Sequence, residues 1–125
     1  MIEQLKRGIE LFNTRDFFEC HDMLEEIWMG WRSNDRAFFQ GLIQIAAGFY
    51  HLENGNYKGA KSQLVKGISK LQQFTPEHCS IDLSTFLHQT HAWVTLLEAR
   101  EQSGTAESFD MNLIPIIQTV NTITF

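Results

Sequence analysis

The stretch Phe38-Phe39-Gln40-Gly41-Leu42-Ile43-Gln44-Ile45-Ala46-Ala47-Gly48-Phe49-Tyr50 decides the fold. Its apolar residues Phe38, Phe39, Leu42, Ile43, Ile45, Ala46, Phe49 and Tyr50 fall on nearly every side of a helix, and such a helix belongs in the middle of a domain. Ser33 or Asn34 supplies a cap at its start, and Asn54-Gly55 stops it. Glycine inside a helix costs about 1 kcal/mol relative to alanine. Gly41 and Gly48 near its centre, and Gly59 further on, therefore predict close helix contacts.

Working outward, Asp16 with Glu19 reads as an acidic capping box that opens a second helix. That helix carries Phe17, Cys20, Leu24, Ile27 and Trp31 and ends between Gly30 and Asn34. Ahead of it, Ile2, Leu5, Ile9 and Phe12 recur at helical spacing. Downstream, Asn56 caps a fourth helix with Tyr57, Ala60, Leu64, Ile68 and Leu71, ended by Thr75-Pro76. A fifth starts near Asp82 with Leu83, Phe86, Leu87, Val94 and Leu97 on one stripe. Ser103 to Ser108 reads as a mobile loop. The apolar tail Phe109 to Phe125, around Pro115, is either a short helix or an extended strap over the bundle.

Asp16-Phe17-x-x-Cys20 matches Asn56-Tyr57-x-x-Ala60 forty positions later. Each copy has a capping residue, an aromatic, and a small residue one turn on, as at the second helix of a tetratricopeptide repeat. The expectation is an all-α, compact bundle of TPR-like antiparallel helical hairpins. It has about five helices in residues 1–102 and a loop and C-terminal strap in residues 103–125, all one domain.

The 125 residues are 43% hydrophobic and 20% charged, with a net charge of −5. That balance argues against nucleic acid, because phosphate binding needs concentrated positive charge. Lys58, Lys61, Lys66 and Lys70 form a local basic stripe, read as a solvated outer face. Cys20 and Cys79 lie far apart and outside any CxxC pattern, as expected of reduced cytoplasmic thiols. Cys20, at the small position of a hairpin, reads as a packing residue. Glu3 and Glu10 interrupt the N-terminus as a signal peptide, and the longest apolar stretch, Gly41 to Tyr50, is too short to span a bilayer. The expectation is a soluble, cytoplasmic protein.

Polar residues on inward stripes carry the functional question. Phe18, His21, Glu25 and Trp28 share one stripe of the second helix, and Gln40, Gln44 and His51 share one of the third. If these helices are antiparallel neighbours, His21, Glu25, Gln44 and His51 converge in one polar region walled by aromatics. One reading is an internally satisfied hydrogen-bond network, for which His21→Ala would cost about 1–3 kcal/mol. A second is a metal site, with His21, Glu25 and His51 suited to zinc or iron. A third is a pocket for a ligand or peptide end, with Trp28 and Tyr50 as walls. His88 and His91 read as solvated, and His78 beside Cys79 as two residues that make no site. There is no Ser-His-Asp order, phosphate loop or HExxH motif.

The segment from Phe18 to Trp28, with His21-Asp22-x-x-Glu25-x-x-Trp28, resembles the helix motif of domain-of-unknown-function family three-zero-nine. So do Phe39 to Ala47, His51, Asn54-Gly55-Asn56 and Gly59-Ala60. The resemblance is close from Gly8 to about Leu71. Asp22 stands where the family usually has glutamate, and Cys20 where it has alanine. The resemblance implies an all-helical bundle of TPR-like topology and brings the label of a predicted metal-dependent hydrolase.

Two function classes follow. The first is a non-catalytic helical module, as a homodimer or with a protein, peptide or small-molecule partner, using Asp22, Trp28, Gln40, Gln44 and Tyr50 beside the His/Glu cluster. The alternative is a metal-dependent hydrolase with His21, Glu25 and His51 as ligands and Asp22 or Glu26 as base.

Overall fold

A computed structural model describes residues 2–30, 35–104 and 109–120. Among them are five α-helices: α1 (Glu3–Asn13), α2 (Phe17–Gly30), α3 (Arg36–Glu53), α4 (Tyr57–Leu71) and α5 (Leu83–Ser103). A hairpin of two short strands, β1 (Glu77–His78) and β2 (Ile81–Asp82), joins α4 to α5. The protein is all-α, and none of the described helices is long and apolar enough to cross a membrane.

Local chemistry sets the boundaries. Asn56 caps α4 by accepting from the Gly59 N–H at 3.0 Å, and Asp82 caps α5 through Thr85 N–H at 3.1 Å. Gly55, at φ +75°, ends α3 in the left-handed conformation that glycine adopts without strain, and the Asn56 N–H returns to the His51 carbonyl. At the α1–α2 corner the Asp16 carbonyl accepts from Cys20 N–H and so opens α2, while its carboxylate accepts the Thr14 hydroxyl at 2.7 Å. The expected positions of Ser33, Asn34 and Trp31 lie outside the described residues.

Helix α3 occupies the centre, packed most extensively on α4 and next on α2. A Cβ at Gly48 would come 2.6 Å from Leu64, and one at Gly41 would come 2.7 Å from Leu71. From the opposite helix, a Cβ at Gly67 would meet Ile45 at 2.6 Å and the Gly41 carbonyl oxygen at 2.9 Å. The two backbones thus approach through glycine on both sides. Gly59 works differently from expectation: the atoms crowding its missing Cβ belong to Asn56, so it makes room for the cap.

Edge-on aromatic pairs fill the core, with Phe12 against Phe17 at 5.0 Å and Phe86 at 5.4 Å between centroids. Trp93, buried on α5, donates its indole N–H to the Leu113 carbonyl. That bond holds the tail. After a 3-10 turn at Met111–Leu113, described residues through Val120 run extended, with Ile114 and Ile117 buried. Asp82 N–H donates to Gln118 and Val120 N–H to Ser80, so the tail pairs with the hairpin. Of the two expected conformations the strap is adopted. Residues 105–108 of the expected loop are outside the described residues; before them, Gly104 closes α5 at φ +65°.

Candidate functional site

Helices α2 and α3 are antiparallel. Phe18, at the start of α2, packs against Tyr50 near the end of α3, with ring centroids 5.7 Å apart and the planes tilted by 49°. At the other end, Arg36 places its guanidinium 4.1 Å over the Trp28 ring and donates to the Trp28 carbonyl. The guanidinium over an indole face is a cation–π contact.

His21 lies between two carboxylates of its own helix. Its Nδ1 is 3.5 Å from Glu25 Oε2 and 3.6 Å from Asp22 Oδ1. The His21 side chain is 32% exposed and that of Glu25 46%, so these groups keep access to water. Gln44 and His51 are engaged elsewhere. Gln44 accepts from Lys70 Nζ at 3.1 Å, across to α4. His51 Nδ1 is 3.4 Å from the Asn56 side-chain amide. Gln40 is half-buried. The expected buried convergence of His21, Glu25, Gln44 and His51 is therefore corrected: two groups sit on the outer edge of α2, and two face α4 or its cap. The sequence held the signal for Gln44. It lies between Gly41 and Gly48 at helical spacing, and the glycines mark the α4-facing side.

The remaining predicted residues separate in the same way. Lys61 donates to Glu101 at 2.9 Å, which raises the lysine's pKa and lowers that of the glutamate. Of the expected solvated stripe, Lys58 and Lys66 are exposed, while Lys61 and Lys70 are engaged. Together with Tyr57, Leu97 and Arg100, Lys58, Lys61 and Glu101 line a cleft of 310 Å³. Cys20 is 1% exposed, and burial pushes its thiol pKa up to about 12. Its Sγ is 3.2 Å from the Gly8 carbonyl, as befits a packing residue.

Around the hairpin, the structure assembles what the sequence left apart. His78 Nε2 is 2.7 Å from Asp35 Oδ1, beside the start of α3. The imidazole packs on the rings of Phe38 and Phe74, at 4.8 and 4.7 Å. Cys79 joins them. Ligand atoms of Asp35, His78 and Cys79 all lie within 4.8 Å of one another, and no other three described His, Cys, Asp or Glu residues gather so closely. The Cys79 thiol pKa is raised by burial first and by the Asp35 carboxylate second. Asp35 was invisible to a motif search because it is remote in sequence.

Residues 5–63 match the sequence model of DUF309, a domain of unknown function. The DUF309 region thus contains His21, Glu25, Gln44, His51 and the glycine seam up to Gly59, but neither His78 nor Cys79. The chain is similar to the uncharacterized protein YpuF of Bacillus subtilis (strain 168), 31% identical over 109 residues. That match covers 86% of this chain and 60% of YpuF. An uncharacterized protein of Aquifex aeolicus (strain VF5) is 33% identical over 55 residues, or 43% of this chain and 16% of that protein. The chain therefore spans less than two thirds of either relative's length.

Proposed function

We propose that this helical module is a non-catalytic binding protein whose docking surface is the outer edge of α2 with the end of α3, and that its occupant is a cationic segment of a partner protein. The observation that carries the reading is the exposure of Phe18, 57% accessible although paired with Tyr50. Phe18, Asp22, Glu25 and Met29 recur on one face of α2, and Met29 is also exposed. Glu19 and Glu26 flank that face, and α2 contains no lysine or arginine. Apolar ends with carboxylates between them complement a segment that alternates apolar and basic side chains.

The test uses a fluorescent synthetic helix of leucine and arginine as the probe, titrated by anisotropy against the chain. Binding should weaken with added salt and fall at least tenfold in Phe18→Ala and in the double variant Asp22→Lys, Glu25→Lys. Equal binding by wild type and variants overturns the proposal. So does a concentration-dependent dimer that Phe18→Ala dissolves, because it would assign the surface to a second copy.

A hydrolase using zinc or iron on His21, Glu25 and His51 is the other reading, supported by the position of His21 beside two carboxylates. The three ligand atoms do not gather within ligand reach in the described geometry. No chemical step is therefore routed through a metal there.

A further inference from the structure

The cluster at the hairpin is independent of the α2 surface. We propose that Asp35, His78 and Cys79 form a binding site for one divalent transition-metal ion, zinc above all, which clasps the start of α3 to the β1–β2 hairpin. Carboxylate, imidazole and thiolate are the three ligand types zinc takes from proteins, and three of them with an open fourth position form a familiar set. Zinc holds nitrogen and oxygen near 2.0–2.2 Å and sulfur near 2.3 Å, so tetrahedral ligands stand roughly 3.3–3.8 Å apart. The present group spans that range, with Asp35 and His78 at 2.7 Å and all three ligand atoms within 4.8 Å. On binding, the His78 Nε2 lone pair goes to the metal, any proton on that nitrogen moving to Nδ1 or to solvent, and the Cys79 thiol releases its proton to solvent.

The platform is built before any ion arrives. Phe38 and Phe74 fix the plane of the His78 ring. The hairpin loop is Cys79-Ser80, with φ of +48° and +64°. A two-residue loop with both φ values positive favours Asn and Gly, since a Cβ is strained there. Cysteine in that place is not explained by turn chemistry, whereas a ligand role requires its sulfur. The loop is held by the strap, whose Val120 N–H donates to the Ser80 carbonyl at 2.7 Å. An Asp35–His78 pair alone would fasten the hairpin without needing Cys79 beside it.

The test is cobalt(II) titration of the untagged, metal-stripped chain, followed by absorption, with circular dichroism confirming the fold of each variant. Wild type should bind one equivalent and show a thiolate-to-cobalt charge-transfer band, which only Cys79 is placed to supply because Cys20 is buried. Cys79→Ser should abolish the band and weaken binding by more than about a hundredfold, beyond the loss typical of an outer-shell change. His78→Gln, a second variant that leaves the turn intact, should weaken it similarly, and zinc should raise the Tm of wild type but not of Cys79→Ser or His78→Gln. His21→Ala should bind as wild type does, which separates this site from the α2 edge. Absence of cobalt binding, a spectrum without the thiolate band, or equal affinity in wild type and Cys79→Ser would each overturn the proposal.

Discussion

Asn13 and Ile117 exchange two hydrogen bonds: the Asn13 amide donates to the Ile117 carbonyl at 3.0 Å, and the Ile117 N–H donates to Asn13 Oδ1 at 2.7 Å. A side-chain amide at the end of α1 thus pairs with the strap as a neighbouring strand would, satisfying both backbone groups of a half-buried segment. Asn13→Ala strands them and should destabilise the protein by about 1–3 kcal/mol. Urea unfolding measures the loss. Hydrogen exchange at the Ile117 amide should accelerate more than exchange in α3, and equal acceleration would show that the pair does not act locally.

Across the α3–α4 seam, space is the limiting quantity. At Gly67 a methyl group would face the Gly41 carbonyl oxygen, a backbone atom that cannot turn aside. At Gly30 no atom of the described residues beyond its chain neighbours lies within 4 Å of the missing Cβ. Gly67→Ala should therefore cost about 1–3 kcal/mol through forced separation of the helices, despite alanine's better helix propensity. Gly30→Ala should be close to neutral. Comparison of their thermal unfolding midpoints checks the contrast, and similar shifts would refute the steric account.

The two cysteines should differ in reactivity. Cys20 is buried, with a thiol pKa near 12, so almost no thiolate forms at neutral pH. Cys79 is only half-buried. A disulfide reagent should label about one thiol per native chain and both in urea. Zinc should protect the native one. Labelling of Cys20 at a rate comparable to Cys79 would show that α2 opens readily from α1.

These contrasts mark how far the sequence could be read. Asn56 and Asp82 announced helix starts because a cap is a local event, decided within three residues. The apolar ring around α3 likewise identified the central helix. Which neighbour each polar side chain faces is a tertiary property. Gln44 and Glu25 both occupy plausible inward stripes, yet one reaches Lys70 on α4 and the other lies on the outer edge of α2. Asp35 and His78 meet only because the hairpin folds back on the start of α3, and no periodicity encodes that contact.

His21 gives the sharpest test of the α2 surface. A buried network would make His21→Ala costly, because its partners would be left unsatisfied. Instead the imidazole, 32% exposed, pairs with half-exposed or exposed carboxylates at 3.5 and 3.6 Å. Such ion pairs contribute little, since water replaces the lost partner and salt screens the charges. His21→Ala should therefore shift stability by no more than about 0.5 kcal/mol. Its bound metal content should be unchanged, because the hairpin cluster lies elsewhere. Binding of the arginine-rich probe should change more than stability does, since the imidazole borders Asp22 and Glu25 on the docking face. Urea unfolding, metal analysis and the anisotropy titration of this one variant read the three roles separately. A large loss of stability would restore the buried network, and loss of metal would restore the ligand role of His21.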